Sequence, residues 1–204
     1  RAGLVGEDGA THHGVFDIAY LRCIPNMIVY APLNEIALRN ILYTAQLGLN
    51  YPIAIRYPRG RGVTVDWQKP FEVIEIGTGK CLKHGTKTAV ISSGTIGNNV
   101  VEAFSKIENT DAFAHYDFAF VKPLDEKLLH LIFNTYQSIL TIEDGTIKGG
   151  FGSAIVEFSK EHCYTTPIKT LGIPDQFVEH GSIAELQKIC GIDVESLISV
   201  LKNE

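Results

Sequence analysis

The chain has 204 residues, 45% of them hydrophobic, which is enough for a sizeable core in one large or two small domains. Its net charge of -5 argues against nucleic acid as the main partner, because phosphate backbones attract an excess of Lys and Arg. No apolar run approaches the ~20 residues that cross a bilayer, and residues 1–20 lack a signal-peptide core, so we expect a soluble, cytoplasmic protein without a membrane partner. The widely spaced cysteines are expected to be reduced and mostly buried; they are Cys23, Cys81, Cys163 and Cys190.

The first 60 or so residues are predicted to form a β-α-β arrangement. A strand ends at Leu4–Val5 and runs into a loop at 6–14, which is followed by a helical turn at 16–21. A buried strand at 26–32 then leads to a helix whose apolar residues recur at i, i+3, i+4 and i+7 and which ends near Gly48. A strand at 51–58 closes this part. Ligands of open α/β sheets bind at the carboxyl ends of strands, so the loop at 6–14 is a candidate site.

Residues 63–79 are predicted to form an extended linker, because they show no helical period. The α/β alternation then resumes and favours a mostly parallel sheet with helices on both faces. The predicted strands are 87–94, 113–121, 138–144 and 168–173, and the longer helices are 96–107, 125–135 and 152–162. Two short helices end the chain. A capping box at Ser182–Glu185 begins the first, and Asp193 is expected to cap the second.

The stretch GEDGATHHGVFD at residues 6–17 places Asp8, His12 and His13 close together. A dedicated metal site is disfavoured, because adjacent histidines in an extended loop point in different directions and no further ligand lies nearby in sequence. Asp8 followed by Asn34 has nearly the spacing of a magnesium motif of thiamine diphosphate enzymes. We reject this motif, since Glu7 replaces its first glycine and Asn34 begins a helix. His12 is either an acid–base or polarising group or a loop histidine, and Asp8 favours the first.

Three other segments resemble phosphate-binding elements. SSGTIGNN at 92–99 and KGGFGS at 148–153 follow strands, but neither fits a nucleotide-binding fingerprint, and tight turns before helices explain both. RYPRGRG at 56–62 carries three arginines where a strand ends. Because the planar guanidinium suits phosphate oxygens, these residues indicate either a phosphate contact or a solvated basic turn.

The segments GEDGATHHGVFDIAYLRCIPNM, RYPRG, VKPLDEKLL, IEDGTIKGGFGSAIVEF and LGIPDQFVEHG resemble, in this order, the deoxyxylulose-phosphate synthases of the transketolase-like enzymes. The resemblance covers essentially the whole chain. It implies an α/β fold, with the second half of a pyrimidine-binding domain at 1–62, a linker at 63–79, and a transketolase C-terminal domain at 80–204. The C-terminal domain would contain a mostly parallel five-stranded sheet covered by helices and would mainly pack a homodimer.

The resemblance also implies a function. The family condenses pyruvate with D-glyceraldehyde 3-phosphate, with loss of CO₂, using thiamine diphosphate and Mg²⁺, and supplies isoprenoid, thiamine and pyridoxal phosphate synthesis. By position, Asp8 and His12 would be catalytic and face the aldehyde substrate, while Arg59 would hold its phosphate. Arg56 would be a structural residue at a strand end. His13 is a poor candidate for chemistry, because the family also has Gln at that position.

The chain begins at Arg1 without an initiator Met, and we expect it to be a fragment. The resemblance places the family's catalytic Glu, and the domain that binds diphosphate and Mg²⁺, upstream of residue 1. No cofactor-binding or metal-binding residue is therefore expected in this chain, which alone should be inactive. Two alternatives stay open, namely a transketolase-like enzyme with another donor or acceptor and a non-catalytic module that packs a dimer.

Overall fold

The computed structural model describes residues 1–62 and 68–203, and helices alternate with strands along most of them. The helices are α1 (Asp17–Arg22), α2 (Glu35–Gln46), α3 (Gly97–Ser105), α4 (Glu126–Thr135), α5 (Phe151–Glu161), α6 (Ile183–Ile189) and α7 (Val194–Lys202). The strands are β1 (Ile28–Tyr30), β2 (Ile53–Ile55), β3 (Lys80–Lys83), β4 (Thr88–Ser93), β5 (Phe113–Asp117), β6 (Phe120–Lys122), β7 (Ser138–Thr146) and β8 (Ile168–Ile173). The predicted α/β fold is confirmed.

The larger sheet has five strands in the order β3-β5-β4-β7-β8. Strands β4, β5, β7 and β8 run parallel to their neighbours, and β3 pairs antiparallel with β5 at the edge. The mostly parallel five-stranded sheet is therefore confirmed. Residues 80–83 carry no clear strand pattern in the sequence, and β3 was not among the predicted elements.

The predicted strand at 113–121 is wrong in one respect, because the structure divides it between two sheets. Strand β5 ends at Asp117, the amide of Phe118 still donates to the carbonyl of Ser92 in β4 at 2.8 Å, and the backbone then leaves the larger sheet. Strand β6 pairs antiparallel with β1 in a second sheet of order β2-β1-β6. The amide of Ala31 donates to the carbonyl of Ala119 at 2.7 Å and extends this pairing. The C-terminal part of the chain thus supplies a strand to the sheet of the N-terminal part.

The N-terminal segment also differs from its prediction. Instead of a regular strand at Leu4–Val5, single bridges join Ala2 to Pro58 and Gly3 to Gly14, and a 3₁₀ turn follows at Gly6–Asp8. Helix α2 agrees well with the sequence. The side chain of Asn34 accepts a hydrogen bond from the amide of Ala37, as an N-cap residue does. This cap explains Asn34 without any metal.

Residues 63–67 of the predicted linker lie outside the described residues. From 68 to 79 the chain has no helix or strand, and it packs along α2. The amide of Ile74 donates to the hydroxyl of Thr44 at 2.9 Å, and the ring of Phe71 stacks on Tyr43 with centroids 5.0 Å apart. The boundaries of the three predicted segments stay a prediction.

Three smaller expectations are settled by the side chains. The capping box between Ser182 and Glu185 is confirmed, whereas Asp193 makes no side-chain capping bond and its Oδ1 is buried without a partner among the described residues. All four cysteines are free, but the expectation that most are buried is wrong, since Cys23, Cys81 and Cys163 are exposed.

Within residues 1–62 and 68–203, no helix is long and apolar enough to cross a membrane.

The raised pKa of Asp117 leads us to expect that the stability of the chain depends on pH. Its side chain is buried at the end of β5, where burial raises its pKa from 3.8 to about 7 although Lys80 acts to lower it. Because the folded pKa lies above the unfolded one, the contribution of Asp117 to stability is lost as the pH rises towards 7. We compare the unfolding free energy of Asp117→Asn with that of the unsubstituted chain at each pH. From pH 5 to pH 8, we expect this difference to shift by about 1–2 kcal/mol in favour of the variant.

Urea unfolding at the two pH values measures this gain. The matched control is Asp111→Asn, since Asp111 is exposed just before the same strand and its substitution should show no such pH-dependent difference. A gain for Asp117→Asn that is equal at both pH values, or that falls as the pH rises, would contradict the assignment.

Candidate functional site

The loop at 6–14 turns sharply at Gly9. Gly9 has φ +74°, a left-handed conformation that favours glycine, and its carbonyl accepts hydrogen bonds from the amides of both His12 and His13. The side chains of the two histidines have different surroundings and share no hydrogen-bond partner. His12 is exposed, with Nδ1 3.0 Å from the hydroxyl of Thr11, whereas His13 is buried.

Asp8 and Arg59, 51 residues apart in sequence, form an ion pair. Arg59 Nη1 donates to Asp8 Oδ2 at 2.5 Å and to the carbonyl of Val5 at 3.1 Å. Their side chains are 48% and 44% exposed, and an ion pair in that environment adds only about 0–1 kcal/mol to stability. What the pair does achieve is orientation, because it fixes one edge of the guanidinium against the loop.

Arg59 lines a cavity of about 630 Å³ between the end of β2 and the beginning of α2. The described lining residues also include Arg1 and Arg61 and a single acidic residue, Glu35. Small-molecule sites have volumes of roughly 300–1,000 Å³, so this cavity is large enough for a phosphorylated sugar. Among the described lining residues, three are cationic and one is anionic, which favours an anionic ligand.

His12 lines a second cavity of about 390 Å³, together with Asp17, Tyr20 and Arg56. Arg1 and Tyr57 line both cavities, and Arg1 Nη1 donates to the hydroxyl of Tyr57 at 3.2 Å. His12 and Arg59 therefore line two different cavities that have Arg1 and Tyr57 in common. The structure pairs Asp8 with Arg59 directly, whereas His12 contacts neither of them and lines the other cavity.

Arg1 and Tyr57, which line both cavities, are not among the candidate site residues predicted from the sequence. The bridge between Ala2 and Pro58 aligns the first residues beside the end of β2 and so puts Arg1 against Tyr57. That pairing joins distant parts of the chain. A strand pattern at residues 1–5 beside the predicted strand at 51–58 is the only signal in the sequence that suggests it.

Arg56 lines the second cavity and is also the centre of a buried network of ion pairs. Its guanidinium donates to both carboxylate oxygens of Asp17, at 2.9 and 3.1 Å, to the carbonyl of Gly14 at 3.1 Å, and to the carboxylate of Asp144. Burial acts to lower the pKa of Arg56, but the carboxylates of Asp144 and Asp17 raise it above its ordinary value. This arrangement fits the structural role predicted for Arg56.

The glycine-rich turn at 148–153 has its own explanation. The buried carboxylate of Glu143 accepts hydrogen bonds from the amides of Phe151 and Gly152, both at 2.8 Å. A Cβ on Gly150 would lie 2.3 Å from Glu143 Oε2. Burial raises the pKa of Glu143 to about 7, although these two amides lower it. Because a side chain already occupies the helix N-terminus, this turn is no phosphate cradle.

Among residues 1–62 and 68–203, no three or more His, Cys, Asp or Glu side chains are grouped as metal ligands. We assign no residue of this part of the chain to Mg²⁺.

Two family models match the two domains that the resemblance implies. The model described as "Transketolase, pyrimidine binding domain" matches residues 1–63, and "Transketolase, C-terminal domain" matches 77–197. Curated proteins named 1-deoxy-D-xylulose-5-phosphate synthase are similar over the whole chain. The protein of Parabacteroides distasonis is 54% identical over 100% of this chain, and that of Vibrio vulnificus is 40% identical over 100%. The chain spans about a third of their length, 32% in each case.

Two solved structures have the same fold. A split-gene transketolase, described as an inactive β4 tetramer, has a TM-score of 0.81 and 27% identity, with 95% of this chain and 62% of that chain covered. The transketolase of Campylobacter jejuni has a TM-score of 0.72 over 98% of this chain and 30% of its own, and at 19% identity it supports the fold alone. The predicted similarity to 1-deoxy-D-xylulose-5-phosphate synthase is thus confirmed, and the chain belongs to the transketolase family.

Proposed function

We propose that these residues form the part of a 1-deoxy-D-xylulose-5-phosphate synthase that binds D-glyceraldehyde 3-phosphate. The observation that carries the proposal is the cavity of about 630 Å³ lined by Arg1, Arg59 and Arg61, in which Asp8 orients Arg59. Guanidinium groups bind phosphate through paired hydrogen bonds, and a site for a phosphorylated aldehyde needs such an anchor. The reaction, the condensation of pyruvate with this aldehyde, is the one implied by the resemblance to the deoxyxylulose-phosphate synthases, and the Parabacteroides distasonis relative carries that name.

Three side chains receive roles in this proposal. Arg59 binds the phosphate, and Asp8 holds Arg59 in place while its remaining lone pairs accept from a substrate hydroxyl. His12, which lines the cavity that shares Arg1 and Tyr57 with that of Arg59, donates a hydrogen bond to the aldehyde oxygen as negative charge develops there. Fixing the phosphate at a distance from the reacting carbon lets binding energy orient the aldehyde.

Thiamine diphosphate and Mg²⁺ are part of the proposal, but no residue of this chain is assigned to them. The cofactor supplies the carbanion chemistry when bound. We infer that regions of the enzyme beyond these residues hold it, since the relatives are about three times as long as the matched segment. The proposal also includes a homodimer and a role in isoprenoid, thiamine and pyridoxal phosphate synthesis. It includes a cytoplasmic location, which suits the four free thiols.

A chimaeric enzyme tests the function. The corresponding segment of the Parabacteroides distasonis synthase is replaced by these 204 residues, and product formation from pyruvate and glyceraldehyde 3-phosphate is followed. We expect the chimaera to form deoxyxylulose phosphate and the 204-residue chain alone to form none, in line with a similar transketolase chain described as inactive. A folded chimaera that is inactive, or that uses only ketose phosphates as donors, would overturn the proposal.

Arg59→Ala in the chimaera is expected to raise the KM for glyceraldehyde 3-phosphate by at least about tenfold, because it removes a charge-assisted contact to the phosphate. The KM for pyruvate should change by less than about twofold, since pyruvate carries no phosphate. Steady-state kinetics with each substrate varied in turn measures both values.

Two controls accompany this variant. Arg61→Ala removes another guanidinium from the same cavity lining and should have a smaller effect. Unphosphorylated D-glyceraldehyde should be used equally well by Arg59→Ala and by the unsubstituted chimaera. Equal KM increases for both natural substrates would remove the phosphate role from Arg59.

A further inference from the structure

The loop at 6–14 is anchored in the core of the C-terminal part of the chain. Leu4 and Val15, which flank the loop, are 5% and 3% exposed and belong to the same hydrophobic cluster as Val178 and Leu186. The amide of Thr146 in β7 donates to the carbonyl of Val15 at 2.7 Å. The loop that carries Asp8 and His12 therefore begins and ends on a surface built by residues far along the chain.

The segment 179–181 packs behind this loop. A Cβ placed on Gly9 would lie 3.4 Å from the Cβ of His180, and one on Gly6 would lie 3.2 Å from the carbonyl oxygen of Gly181. The segment is itself held, because the capping box of α6 follows directly at Ser182. This close approach makes 179–181 a fixed support for the loop.

His13 connects the loop to that support. Its Nδ1 accepts a hydrogen bond from the amide of Val5 at 3.0 Å, and its Nε2 lies 3.2 Å from the carbonyl oxygen of Glu179, 166 residues away. An amide can only donate and a carbonyl can only accept, so the ring is neutral with its proton on Nε2. His13 is only 9% exposed, and it is not among the residues that line the two cavities, whereas His12 and Arg59 are.

We propose that His13 is a positioning residue, which locks the loop between Val5 and Glu179 and thereby holds Asp8 and His12 where they meet the aldehyde substrate. The kinetic consequence rests on the proposed function, but the locking itself does not. Glutamine carries one acceptor and one donor on a planar group, and we expect it to satisfy the same two partners. Leucine satisfies neither, and asparagine reaches Val5 but is too short to reach Glu179.

Hydrogen–deuterium exchange on the 204-residue chain tests the locking directly. We expect faster exchange of the amides at 6–14 in His13→Leu and His13→Asn, and unchanged exchange in His13→Gln. Ile132→Ala is the matched control, because Ile132 is fully buried in a separate core cluster and its loss destabilises the fold without touching the loop. If His13→Leu does not fold, His13→Asn decides, since it breaks only the bond to Glu179. Unchanged exchange at 6–14 in His13→Asn would overturn the proposal.

Kinetics in the chimaera tests the consequence for the reaction. We expect His13→Asn to lower kcat by about tenfold while the KM for pyruvate stays within about twofold, since small misplacements of catalytic groups slow the chemical step. His13→Gln should restore kcat, and Ile132→Ala should lower the thermal midpoint without lowering kcat. A purely structural His13 would behave like Ile132. If the unsubstituted chimaera is inactive, the proposed function fails, while the exchange experiment still decides whether His13 locks the loop.

Discussion

His12→Ala in the chimaera is expected to lower kcat at saturating substrates by about 100-fold, an effect typical of removing one donor to a developing negative charge. His12 is exposed on a cavity of about 390 Å³, so its loss leaves no buried group without a partner. The change should therefore reduce catalysis without destabilising the fold. Steady-state rates and thermal unfolding of the same preparation measure both quantities.

Two further variants show what His12 contributes. His84→Ala removes another exposed histidine, far along the chain in the C-terminal part, and should leave kcat unchanged. His12→Asn keeps a hydrogen-bond donor but cannot transfer a proton at neutral pH, so it separates polarisation of the aldehyde from proton transfer. Turnover of His12→Ala at the unsubstituted rate would make His12 an ordinary loop histidine.

Arg56→Leu is expected to have the largest effect on stability, about 3–5 kcal/mol of unfolding free energy, because it leaves two carboxylates without their cation in a buried network. The side chain of Arg56 is only 3% exposed, and those of Asp17 and Asp144 are 16% and 12% exposed. Chemical unfolding of the 204-residue chain measures the loss.

A double substitution separates the ion pair from simple packing. Arg56→Leu combined with Asp144→Leu removes one of the two carboxylates that Arg56→Leu leaves without a cation. The double variant should therefore lose less unfolding free energy than the two single variants lose in sum. Lys106→Ala is the surface comparison, because Lys106 pairs with Glu102 and Glu195 in solvent, and it should change stability much less than Arg56→Leu. Additive losses in the double variant would mean that Arg56 contributes packing alone.

Local sequence signals predicted most of the secondary structure. The i, i+3, i+4, i+7 pattern located α2, and the side-chain cap of Asn34 and the capping box before α6 appear where the sequence placed them. The division of 113–121 could not be predicted in the same way. Both halves are rich in aromatic and apolar residues that favour strands, and only the tertiary pairing of Ala119 with Ala31 assigns them to different sheets.

The candidate site was predictable to a smaller extent. The resemblance nominated Asp8, His12 and Arg59, and the structure pairs Asp8 with Arg59; their roles stay proposals. The contacts of Arg1 and His13 were not predicted, because their partners are the distant side chain of Tyr57 and a backbone carbonyl. Side-chain chemistry can be inferred from sequence motifs, whereas contacts to backbone groups depend on how remote segments pack.

Strand β6 has a consequence for how the chain folds. It joins the sheet of the N-terminal part only after residues some 90 positions apart, at β1 and β6, have met, so the smaller sheet cannot be completed locally. Cutting the chain between 62 and 80 would leave β1 with an open edge and β6 with unpaired amides and carbonyls. The two matched family segments are thus expected to fold as one cooperative unit, and an evolutionary or laboratory rearrangement that separates them must supply a replacement strand.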